Sequence, residues 1–207
     1  MEDFNLDELM DCLEDNIKED IRGFEEVINL DGAANREVYI GDIVAGTGQT
    51  IEGYIRFWNR YDDMHKIPVD KRVPIKVYIN SGGGLLGDTM TIIDAIEMSV
   101  TPVWTINTGA AYSGGFFSFI AGHKRIAYKH STFLYHEGAT GSSGDAGKFR
   151  NFADFYAKQL DQLKDITLKY TDMSEEYYKE HQRDDLWLTA IEALELGVCD
   201  EIAEAFV

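Results

Sequence analysis

An α/β fold built on a largely parallel sheet is what this sequence predicts, and three observations predict it. Short apolar runs that read as buried strands recur at residues 75–79 and 103–106. Each is followed by a stretch rich in glycine and other small residues, 80–84 and 109–115. Each stretch then leads into an apolar helix: Leu86, Met90, Ile93 and Ile96 after the first, and the run 116–121 after the second. Strands alternating with helices imply parallel neighbours with helices on the sheet's faces. In such sheets the working loops lie at the carboxyl ends of the strands.

The elements follow in order. Leu6, Leu9, Met10, Leu13 and Ile17 fall at helical spacing among Asp and Glu, an acidic amphipathic helix that covers a neighbour or serves as a docking arm. Residues 31–35 read as the linker out of it. Val38-Tyr39-Ile40 is a short strand. Ile51, Tyr54, Ile55 and Trp58 form a stripe that predicts a helix over 49–62. A polar loop with two prolines, 62–74, precedes the strand at 75–79. After the second strand–helix pair come strands at 125–128 and 132–136, then a long helix from about 148 to 171. Thr189 and Glu192 form a capping box at a helix that Gly197 ends, and 198–202 reads as a last strand.

Composition sets bounds on this scheme. At 207 residues the chain is one domain with room for a real core. Its 19 basic and 37 acidic residues give a formal charge of -18, which argues against a general nucleic-acid binder. Only Cys12 and Cys199 occur, which suggests no disulfide framework and a reducing compartment. The acidic start Met1-Glu2-Asp3-Phe4 does not resemble a secretory signal, and no run is long enough to span a membrane. The expectation is a cytoplasmic, soluble protein.

Four places could carry chemistry. Ser113, among small residues at a strand-to-helix turn, would present its hydroxyl at the sheet's end, facing the amides of the helix start. Small residues also serve close packing, so this turn alone does not decide. Gly82-Gly83-Gly84 after a buried strand suits an anion cradle, either an oxyanion hole or a phosphate site, or merely a tight turn. It lacks the Gly-Lys-Ser/Thr of a nucleotide-binding loop and the spacing of a dinucleotide fingerprint. His136, closing the strand 132–136, could act as a general base or be an ordinary loop histidine. Asp184 and Asp185 could orient an imidazole or simply flank a helix. No histidine or cysteine spacing supports a metal site.

Taken together, these pieces resemble the proteolytic subunit of the Clp protease, a barrel-forming serine peptidase, from about residue 38 to residue 202. Tyr78-Ile79-Asn80-Ser81-Gly82-Gly83-Gly84 is similar to that family's Y-I-N-S-P-G-G. Gly109-Ala110-Ala111-Tyr112-Ser113-Gly114-Gly115-Phe116 is similar to its G-Q-A-A-S-M-G-A-F. Leu134-Tyr135-His136-Glu137 is similar to its M-I-H-Q. Asp185-Leu186-Trp187-Leu188-Thr189-Ala190, with Glu192, Ala193 and Gly197, is similar to its D-x-F/W-L/M-S/T-A…E-A…G.

The resemblance implies a ClpP/crotonase-like α/β fold of repeated β-β-α units with flanking helices and one long handle helix. It divides the chain into an acidic helical extension, 1–35, that is an arm or a propeptide, and a peptidase domain, 36–207. It implies Ser113 as nucleophile, His136 as base and Asp185 as its orienting carboxylate; matching an Arg-Asp pair instead would select Asp184. Gly83 and Gly114 would supply the oxyanion amides. No cofactor or metal is implied. The implied partners are other copies in heptameric rings, stacked as a tetradecamer through the handle at 138–147, an ATP-dependent AAA+ unfoldase, and an unfolded peptide lying as an added strand.

Some positions depart from the pattern. Gly82 replaces a proline, Gly114 a methionine that walls the side-chain pocket, and Asp184 an arginine that helps join rings. Residues 1–35 do not resemble the family's axial gating loops. Other readings are a catalytically idle ring scaffold and a crotonase-type acyl-CoA enzyme. The second would need a catalytic carboxylate beside the hole and would leave the serine–histidine pair unexplained. Signal-peptide-peptidase relatives use a serine–lysine dyad, and nothing here marks the lysine.

Overall fold

The computed structural model describes residues 35–138, 140–141 and 144–207. The acidic helix expected in 1–35 and Cys12 lie outside the described residues. The described elements are β1 (Glu37–Ile40), α1 (Thr47–Met64), a 3₁₀ turn (Val69–Lys71), β2 (Ile75–Ser81), α2 (Leu86–Glu97), β3 (Val103–Tyr112), α3 (Gly114–Ile120), β4 (Lys124–Ala127), β5 (Thr132–Tyr135), α4 (Ala146–Tyr170), α5 (Glu175–His181), β6 (Leu186–Thr189), α6 (Ala190–Glu195) and β7 (Glu201–Ile202). This is the mixed α/β architecture expected from the sequence.

The sheet runs β1-β2-β3-β4-β7 with every neighbour parallel. Its far end divides. Trp104 to Asn107 of β3 pair with β4, whereas Ala110 to Tyr112 pair with β5. β6 then lies antiparallel to β5. Residues 109–112 are therefore strand, not the loop that their small side chains suggest; a second partner strand holds them extended. Asn107 is fully buried at the division. Its amide donates to the Thr132 carbonyl at 2.9 Å, and its oxygen accepts from the Gly109 N–H at 3.0 Å. Asn80 accepts from the Ala110 N–H at 3.0 Å. These amides satisfy backbone groups that the broken ladder would leave unpaired.

Beneath the sheet, Ile51, Ile55 and Trp58 of α1 and Ile92, Ile93 and Ile96 of α2 pack against the core-facing residues of β2 and β3. Burying each such side chain stabilises the fold by about 1.5–3 kcal/mol. One corner of this layer is ionic. Arg36 donates two hydrogen bonds, at 2.8 and 2.6 Å, to the fully buried Asp62, and its guanidinium lies over the Trp58 ring. Burial opposes ionisation of Asp62. Hydrogen bonds from Arg36 and Thr101, with the charges of Arg36 and Arg72, outweigh it and hold the carboxyl below its ordinary value. On the sheet's opposite face, Tyr78, Ile106 and Ile126 form a smaller cluster under Tyr128 and Val207.

The sequence leaves two elements unmarked. α5 has a single buried residue, Tyr178, so it shows no stripe. β6 exposes Trp187 while burying Leu188, which hides its period-two pattern. The capping box on α6 is present: Thr189 accepts from the Glu192 N–H, and Glu192 accepts from the Thr189 N–H.

Candidate active site

Ser113 sits where β3 hands over to α3, at φ 52° and ψ -118°. A positive φ is strained for a side chain with a Cβ and costs of the order of 1–3 kcal/mol. Two bonds hold the turn: the Ser113 N–H donates to the Leu134 carbonyl at 2.8 Å, and its carbonyl accepts from Phe117 at 3.2 Å. The small residues after it have a packing reason. A Cβ on Gly114 would come within 2.4 Å of Thr89 Oγ1, and one on Gly115 within 2.9 Å of Ser81 Cβ. Glycine there lets α3 begin flush against β2 and α2.

His136 and Asp185 are brought together by strand register. β5 and β6 pair Thr132 with Thr189, Phe133 with Leu188, Leu134 with Trp187 and Tyr135 with Leu186. One further step sets His136 opposite Asp185. Their side chains meet with Nδ1 3.6 Å from Oδ1. The Asp184 N–H donates to the His181 carbonyl at 3.1 Å. After His136, the chain is held by the Tyr156 hydroxyl of α4, which donates to the Glu137 carbonyl at 2.9 Å.

Ser113, Gly114 and His136 line one cavity of about 630 Å³. Its apolar walls come from Leu86, Phe117, Phe152 and Leu163, and Gln159 and Glu137 add polar groups. Among the described residues no hydrogen bond joins the Ser113 hydroxyl to His136, and 3.6 Å is beyond a hydrogen bond between His136 and Asp185. Ser113 and His136 thus share a cavity, and Asp185 lies just beyond hydrogen-bond reach of His136; such bonds are often long in unliganded sites.

The glycines of the 82–84 loop differ in their bonding. The Gly83 N–H donates to the buried Ser81 hydroxyl at 3.0 Å. Gly84 is differently placed. It pairs with Ile43 in an isolated parallel bridge, whose bonds run from Ile43 N to the Gly83 carbonyl and from Leu85 N to the Ile43 carbonyl. That pattern turns Gly84's own N–H away from Ile43. Its nitrogen lies 3.4 Å from where a Gly114 Cβ would stand, and Gly84 lines the cavity. With φ at +150° and a would-be Cβ 1.9 Å from the Ile43 carbonyl oxygen, only glycine fits there. Three consecutive glycines mark the loop in the sequence, but the contact with Ile43 that separates their roles is long-range.

Residues 67–206 match the family model described as Clp protease. The chain belongs to the Clp protease family. Among curated relatives, it is 36% identical over 137 residues to the ATP-dependent Clp protease proteolytic subunit 2 of Thermobifida fusca, covering 64% of this chain and 66% of that one. It is 32% identical over 130 residues to subunit 2 of Nocardia farcinica, covering 62% and 64%. It is 32% identical over 132 residues to the ATP-dependent Clp protease proteolytic subunit of Deinococcus radiodurans, covering 63% and 65%. The matched stretch thus spans a little under two thirds of these Clp relatives' own length. Among the described residues no helix is long and apolar enough to cross a membrane.

Proposed function

We propose that this chain is a serine peptidase of the Clp type. The observation that carries the reading is that a strained serine and a histidine line one cavity, with a carboxylate 3.6 Å from that histidine. Ser113 attacks the scissile carbonyl while His136 takes its proton, and Asp185 orients and stabilises the resulting imidazolium. His136 then returns the proton to the leaving amine. Water enters by the same route in reverse and hydrolyses the acyl-enzyme. The amides of Gly83 and Gly114 are the proposed donors to the developing oxyanion; losing one such donor costs roughly 10²–10³ in turnover. The Gly83 amide, bonded to the Ser81 hydroxyl at 3.0 Å, exchanges that bond for the oxyanion.

The cavity's apolar walls suit a leucine or phenylalanine side chain beside the cleaved bond. Fluorogenic peptides ending in those residues are the test. Ser113→Ala should abolish their cleavage while leaving the circular dichroism spectrum and melting temperature near wild type. Turnover that persists in the variant would rule the nucleophile out.

Assembly into rings and dependence on an ATP-driven unfoldase belong to the same proposal. The relatives' names include ATP dependence, and α4 exposes Phe149 and Phe155 on a helix of 25 residues whose only fully buried members are Leu163 and Thr167. Native mass spectrometry tests the assembly. A multiple of the subunit mass is expected, and a monomer that cleaves peptides would contradict it.

A further inference from the structure

We infer that the hydroxyl pair Tyr135–Tyr178 is a positioning device that holds His136 and Asp185 in reach of each other. The inference rests on the peptidase reading. Tyr135 and Tyr178 are 2% and 3% exposed, and the Tyr135 hydroxyl donates to the Tyr178 hydroxyl at 2.5 Å. Their rings pack edge to face, with centroids 5.4 Å apart. Burial, the largest cause, and the bond to Tyr178 push the Tyr135 phenol well above its ordinary range, so it stays a protonated donor.

The placement gives this bond its meaning. Tyr135 is the last residue of β5 and immediately precedes His136. Tyr178 sits on α5, whose end is separated from Asp185 by the three residues 182–184. The β5–β6 pairing ends at Tyr135 and Leu186, one step short of the functional pair, so no ladder bond holds His136 to Asp185. The approach to each residue is instead joined through the two phenols. Tyr135 also packs against Phe116 and Phe117 of α3, the helix that Ser113 begins, with centroids 5.8 Å away in both cases. All three segments that carry the proposed chemistry thus meet at one buried side chain. The family pattern carries an isoleucine at the place of Tyr135, so this chain has a polar joint at that position.

A purely structural pair and a positioning pair respond differently to removal. Tyr178→Phe or Tyr135→Phe strands one buried hydroxyl, which destabilises the fold; removing both hydroxyls leaves an apolar contact of the same shape and is close to neutral. A positioning bond is lost in all three variants alike, and misplacement by about 1 Å can cost roughly 100-fold in rate.

The experiment is a double-mutant cycle on the full-length protein, with peptide kcat, KM and urea midpoint measured for each form. The expected result is a kcat lowered by about 10- to 100-fold in both single variants and in the double, with KM within about twofold of wild type. The urea midpoint should fall in the singles and recover in Tyr135→Phe/Tyr178→Phe. If kcat recovers along with the midpoint in the double variant, or is unchanged throughout, the pair is structural and the inference is overturned. If the wild-type protein neither cleaves peptide nor takes up a fluorophosphonate, the peptidase reading fails first and this inference falls with it.

Discussion

Single residues carry the clearest energetic consequences. Cys199 is buried beside α6, and burial, reinforced by the charge of Asp200, pushes its thiol from 9.0 up to about 11. The folded form therefore keeps a proton that the unfolded chain releases near 9.0. The stability that this protects is intact below pH 9 and is lost progressively as pH rises to about 11, at about 1.4 kcal/mol per pH unit. Burial likewise raises Tyr54 and Tyr78 from 10.0 to about 12, so their loss begins higher, between pH 10 and 12. The thiol is the first of these groups to respond as pH rises through 9, and the tyrosines add to the fall above it. Cys199→Ala should flatten the fall of the urea midpoint between pH 9 and 10, whatever it does to stability at neutral pH. An unchanged slope would show that the buried thiol is not the responsible group.

At the scale of elements, α4 is the exposed one. Its Asp145 N-cap accepts from the Gly147 and Lys148 amides, and only its last turns enter the core. If the first turns pack against another copy, Phe155→Asp should shift the native mass toward smaller assemblies with helix content preserved. An unchanged mass would place the subunit contact elsewhere. The elements also differ in how openly the sequence declares them. β2, α1 and α2 bury regular stripes and can be read directly from their periodicity. β3 beyond Asn107 cannot, because small residues favour a loop locally and pairing with β5, and of Ala111 with Ser81 of β2, keeps them extended. α5 and β6 are short and half exposed, so neither period shows. The same limit applies to the site. Ser113 and His136 stand out at strand ends, and Asp185, which the motif around Thr189-Ala190 favours over Asp184, has its distance to His136 only from the fold. The different bonding of Gly83 and Gly84 depends on Ser81 and Ile43.

At the scale of the whole molecule, the divided sheet is what assembles the site. β3 delivers Ser113, β5 delivers His136 and β6 positions Asp185, because β3 leaves β4 and takes β5 as a partner within one strand. β2 adds the glycine loop alongside. The central claim is that this arrangement activates one serine. Intact mass after treatment with a fluorophosphonate, on wild type and Ser113→Ala, tests it most directly. One adduct per wild-type chain and none on the variant is the expected result. An adduct that survives in Ser113→Ala, or a folded and assembled wild-type protein that takes up none, would contradict it.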